Sequence, residues 1–174
     1  MPRMPFVTAL AGGLALLATP ALAQEPEVSV TSDIEFPADG QWMHSFDAYE
    51  SEAGKPNGAF ARALAFHRAM EANGVAADRV KTAIVVHGPA VFDVVTDARY
   101  AEKYPAEDGA PLANPAAQDV AALIERGAEI WVCGVAAQYH GVGNAHLLEG
   151  VKMAPSGTVA HAELQRRGYT INPY

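Results

Sequence analysis

The chain has 174 residues, half of them hydrophobic, with 12 basic against 20 acidic residues for a formal charge of −8, and one cysteine. Such a surface repels phosphate backbones and anionic lipid, so nucleic acid is excluded as a natural partner. A single cysteine excludes a disulfide framework within the chain.

The chain opens MPRMPFVTALAGGLALLATPALAQ. Arg3 gives a positive start, Phe6 to Leu17 is an apolar run too short to span a bilayer comfortably, and Ala21 and Ala23 form an A-x-A site. This predicts a secretory signal peptide over 1–23 and a mature chain from Gln24, periplasmic and free of the membrane after cleavage. A retained anchor is the alternative reading. Without Arg3, the balance becomes 11 basic against 20 acidic residues, or −9. Residues 24–41 are acidic and proline-bearing and read as an extended N-terminal arm. Residues 42–174 read as one domain, long enough for a sizeable core.

WMHSFDAY (42–49) holds a first strand, and ESEAGKPNG a loop. From Phe60 the spacing is helical, with Phe60, Ala63, Leu64 and His67 on one face and Asn73-Gly74 as the stop. KTAIVVHG (81–88) has the β-branched run of a buried parallel strand. Pro89 opens a helix AVFDVVTD, and residues 101–113 form a surface loop. Asn114 caps a helix with Pro115 at its first position and Gly127 at its end. EIWVC (129–133) is a strand, a short helix starts at Gly134, and GVKMA (150–154) is a fourth strand. Ser156 caps a last helix to Arg167, and YTIN (169–172) is the final strand. The alternation predicts an α/β fold, a three-layer α/β/α arrangement on a mainly parallel sheet. Trp42 and Phe46 are read as apolar material for self-association.

Ligands of such sheets sit beyond the carboxyl ends of the strands, where His87 and Cys133 both stand. Cys133 ends a strand and precedes a helix whose first N–H groups lack partners. Helix N-termini and basic neighbours lower a cysteine pKa from about 8.5 to roughly 3.5–7.5, and Gly134 lets backbone approach the sulfur. A buried, inert core cysteine is the alternative. His87 reads either as a partner of that sulfur or as a histidine ordering a loop. Cys133 and His87 are therefore the candidate catalytic pair, with Gly88, Gly134, Val135 and His140 as candidate binding residues. Seven residues of helix would put His140 about 10 Å beyond the thiol, out of direct reach. His146 reads as a surface side chain. His44, His161, Met43 and Met153 add soft or borderline ligands, but no compact metal spacing occurs, so no metal and no cofactor is assigned. Ser156-Gly157 lacks the setting of a nucleophile elbow.

The order AIVVHGPAVFDVV, NPAAQDVAALIERGAEIWVCGVAAQYHGV and GVKMAPSGTVAHAELQRRGYTIN resembles the DsrE/DsrF-like family of sulfur-relay proteins over roughly residues 58 to 173. The resemblance implies a five-stranded parallel sheet with the His87 strand beside the Cys133 strand, and assembly into trimers or hexamers. It implies a persulfide on Cys133, exchanged with sulfur donor and acceptor proteins or small thiols. The best-known members are cytoplasmic, whereas this chain carries an export signal. A sulfur carrier or sulfurtransferase-like protein is the first expectation. A non-enzymatic oligomeric binding protein with an inert cysteine, or a Cys/His metal-binding protein, are the others.

Overall fold

The computed structural model describes residues 29–105 and 112–172. The expected signal peptide, the first part of the expected arm and the middle of the expected 101–113 loop lie outside the described residues. Residues 29–34 hold no helix or strand. From Glu35 onward the chain forms one unit, into which residues 36–40 are tied. The Phe36 ring meets Trp42 edge-on, and the Arg79 guanidinium donates to the carbonyls of Pro37 and Gly40.

Five strands form the sheet: β1 (Trp42–Ala48), β2 (Val80–Val86), β3 (Glu129–Cys133), β4 (Lys152–Ala154) and β5 (Thr170–Asn172). Their order is β4-β3-β2-β1-β5, and every pairing is parallel. The expected α/β class and the five-stranded sheet are thus present. Side chains alternate along each strand. Phe46, Ala48, Ile84, Val86, Ile130 and Val132 face α1 (Gly58–Ala72) and α3 (Ala117–Glu125), the larger core. Ala83, Val85 and Ala154, with Met43 and Trp131 beside them, face α5 (Gly157–Arg166). Both faces are covered, as a parallel sheet requires.

Four sequence expectations need correction. Residues 88–94 form a 3₁₀ helix, not an α-helix from Pro89. Every residue from Ala90 to Val95 is buried, so the segment has no solvent stripe for an α-helix to turn outward. Residues 101–103, expected to begin a surface loop, instead complete α2 (Asp97–Lys103). Its Tyr100 is fully buried, and the hydroxyl accepts from the Gly54 N–H at 2.8 Å. Phe46 is core rather than interface material, at 3% exposed, whereas Trp42 is half-buried and packs against Met70, Val75 and Val80. At α3 the helix starts at Ala117. Asn114 caps the preceding turn, accepting from the Ala116 N–H and donating to the carbonyls of Asp93 and Val95.

Asp93 is fully buried, and it anchors the connection from β1 to α1. Ser51 Oγ donates to one carboxylate oxygen and Asn57 Nδ2 to the other, both at 2.7 Å. Burial pushes the carboxyl above its ordinary range, and the two hydrogen bonds oppose that shift. A folded-state pKa above the unfolded one makes ionisation oppose folding. Stability from this group therefore falls as pH rises from the unfolded value through the folded one. Asp93→Asn keeps an acceptor for Asn57 and offers a donor to Ser51, so it should flatten the pH dependence that begins at the ordinary carboxylate value near about pH 4 and extends above it. Asp93→Ala leaves two polar groups unpaired and should lose about 1–3 kcal/mol in urea unfolding. Equal pH profiles for the wild type and the asparagine variant would count against this account.

Candidate functional site

Register brings the site together. β1 and β2 pair with Asp47 opposite Val85, and β2 and β3 pair with Val86 opposite Val132. Alternation then puts Asp47, His87 and Cys133 on one face, at the carboxyl ends of three adjacent strands. That is the face covered by α5. A Cβ placed on Gly157, the first residue of α5, would lie 3.6 Å from the Cys133 Cβ and 3.8 Å from the His87 Cβ. One turn further on, His161 joins the group.

The His87 Nε2 lies 2.9 and 3.0 Å from the two Asp47 oxygens, and the His161 Nε2 lies 2.9 Å from Oδ1. One carboxylate on β1 therefore serves two imidazoles from β2 and α5. The expected partnership of His87 with the thiol takes a different form. The two residues share a cavity, but the ring hydrogen-bonds Asp47 and not the sulfur.

Cys133 is free, 8% exposed, and the N-cap of α4 (Gly134–Tyr139). Its Sγ accepts from the Ala136 N–H at 3.5 Å. Two clefts meet at it. The first, about 530 Å³, is bounded by Asp47, His87, Ser156, Thr158 and His161. The second, about 430 Å³, is bounded by Tyr49, Pro89, Tyr139 and His140. His87, Cys133 and Val135 border both. The thiol is thus low in exposure yet reachable from two sides.

The other candidates are distributed as follows. Val135 is exposed on the rim. Gly88 has φ +56°, and a Cβ there would strike the Tyr49 ring at 2.4 Å; the glycine lets Tyr49 lie against the His87 ring, 5.1 Å between centroids. Gly134 faces the carbonyls of Ala154 and Pro155, so the close approach it permits is to the chain's own backbone. His140 packs against Phe92 and Tyr139 at the edge of the second cleft. His146 Nδ1 accepts from the Gly143 N–H. Among the described residues, no three His, Cys, Asp or Glu side chains converge in a metal-holding arrangement. Sequence reasoning missed Asp47, and took His161 only as a dispersed ligand. The signal for Asp47 was a carboxylate at the end of a strand that also carries apolar Phe46 and Ala48.

A family model described as the DsrE/DsrF-like family matches residues 46–173. Among solved structures, a protein of unknown function, MTH1491 from Methanobacterium thermoautotrophicum, is 19% identical with a TM-score of 0.51. The match covers 77% of this chain and 100% of that one, and shows a shared fold. The ychN protein from E. coli is 13% identical over the same shares, with a TM-score of 0.45. No curated protein matches the chain.

Proposed function

The chain belongs to the DsrE/DsrF-like family, and from that premise we propose that it is a sulfur carrier holding a persulfide on Cys133. The observation that carries the reading is a single thiol at the junction of two clefts, beside a backbone N–H and a carboxylate-bound imidazole. In loading, the Cys133 thiolate attacks the outer sulfur of a donor persulfide, R–S–SH. The new S–S bond forms as the old one breaks, giving Cys133–S–SH and the donor thiolate, R–S⁻. In unloading, an acceptor thiolate takes that outer sulfur, and Cys133 leaves as thiolate. No electron carrier is needed, because one S–S bond replaces another.

The donor and acceptor are proteins or small thiols that fit the clefts. Export by the 1–23 leader places the carrier in the periplasm, and self-association into a trimer or hexamer completes the proposal. Tyr49, Val135, Tyr139 and Ile171 are exposed around the clefts, and apolar surface of that kind favours a protein partner.

Incubation of the purified chain with glutathione persulfide, followed by intact mass measurement, tests the reading. A gain of about 32 Da that dithiothreitol removes is expected, corresponding to one sulfur on the thiol. An unchanged mass under conditions that load a small control thiol would sink it.

A further inference from the structure

The carboxylate of Asp47 has no place in the sulfur exchange just described, yet it sits at the centre of the site. It is one-fifth exposed and accepts from two histidines that come from different elements. A carboxylate only accepts, so each Nε2 must carry its proton toward Asp47. The tautomer of both rings follows, and each Nδ1 is left without a proton in the neutral form. His161 agrees independently. Its Nδ1 is buried with no partner, and a bare lone pair is less costly there than an orphaned N–H donor.

His87 differs in its surroundings. Its side chain is one-third exposed, borders both clefts, and makes no hydrogen bond through Nδ1. The groups facing it are Asp47 from β1, Tyr49 just beyond β1, Cys133 from β3 and His161 from α5. It is therefore an oriented base beside the sulfur and open to an entering molecule. The arrangement has the logic of a carboxylate that orients a catalytic imidazole and stabilises its charged form.

We infer that Asp47 is a positioning residue for sulfur release: by holding the Nε2 protons of both imidazoles, it leaves His87 Nδ1 to deprotonate an acceptor thiol in the clefts beside Cys133. The inference rests on the reading that Cys133 carries the sulfur. In the step, R′–SH gives its proton to His87 Nδ1. The R′–S⁻ formed attacks the outer sulfur of Cys133–S–SH, the S–S bond to Cys133 breaks, and the Cys133 thiolate remains against the Ala136 N–H. The proton then leaves His87 to solvent. Asp47 stabilises the imidazolium while it exists. In Asp47→Asn an amide oxygen in the place of Oδ1 can still accept from both rings, but the amide NH2 in the place of Oδ2 then faces the His87 Nε2–H, donor against donor. His87 must reverse its tautomer or turn away from the carboxamide.

The test separates loading from release. Wild type and Asp47→Asn are loaded with glutathione persulfide, the mass gain is confirmed for each, and transfer to a small thiol is timed in a single turnover from pH 6 to 10. At pH 7 the variant should load fully but release about 10- to 100-fold more slowly, a part of the roughly 10²–10⁴-fold that a positioned base contributes, because His87 itself remains. Above about pH 9.5 a thiol with a pKa near 8.5 is already ionised, and the two rates should converge. A merely structural defect would slow release at every pH. Equal release at pH 7, or a deficit that persists at pH 10, overturns the inference while leaving the persulfide reading intact. No loading of the wild type overturns both. If the variant does not fold, imidazole ¹⁵N shifts of the wild type decide. Both His87 and His161 are expected as the Nε2–H tautomer, and an Nδ1–H form of His87 sinks the idea.

Discussion

Cys133→Ser is expected to abolish sulfur loading completely while leaving the fold intact. The chain has no other cysteine, so no second thiol can take the sulfur. The serine hydroxyl is also a favoured helix N-cap and can accept the Ala136 N–H that the sulfur accepts now. Stability should therefore change by less than about 1 kcal/mol, a modest loss of buried contact offset by a better cap. The same pair reports on access. Iodoacetamide should label the native wild type once, without denaturant, because two clefts converge on a thiol whose own exposure is only 8%. If label enters only after unfolding, the thiol is a core side chain and the carrier proposal fails. If the serine variant still gains sulfur, the sulfur is not on Cys133.

How far the sequence revealed this site depended on which contacts are local. Cys133 was visible because the strand EIWVC and the helix opening at Gly134 are contiguous, and His87 because the run KTAIVV ends on it. Their adjacency came only with the family resemblance, since local periodicity does not order the strands. Asp47 was hidden for that reason. Its hydrogen-bond partners lie 40 and 114 residues away, and only the order β3-β2-β1 brings its strand beside theirs. His161 was hidden differently: in the sequence it reads only as one of several dispersed ligands on the last helix, and its use appears once α5 is laid over the strand tips. The 3₁₀ run at 88–94 was misread because Pro89 reads as the opening of an α-helix, whereas every residue from Ala90 onward in the run is buried and leaves no face for solvent.

Gly134→Ala should be among the most damaging single-methyl additions in the domain. A Cβ at this position would lie 2.6 Å from the Ala154 carbonyl oxygen and 3.1 Å from that of Pro155. Both obstacles are backbone, and neither can rotate away. Ala154 is held in register with Cys133 by the β3–β4 pairing, and Ser156 begins the cap of α5 directly after Pro155. Relief therefore requires separating β4 from β3 or shifting α4, and overpacking of this kind costs typically about 1–3 kcal/mol. The upper end applies here, equivalent to a fall in Tm of roughly 6–12 °C for a domain of this size. Gly134 does not have a positive φ, so the whole cost is steric. Gly143→Ala is the matching control: φ is −100° there, and nothing lies within 4 Å of the added methyl. It should leave Tm within about 2 °C. The damage also reaches the site, because α4 starts at Gly134 and presents the Ala136 N–H to the sulfur. Sulfur retained on Cys133 should fall in Gly134→Ala even where the variant is still folded. An unchanged Tm would show that β4 moves freely against β3, and that the ends of the strands do not hold Cys133 in place.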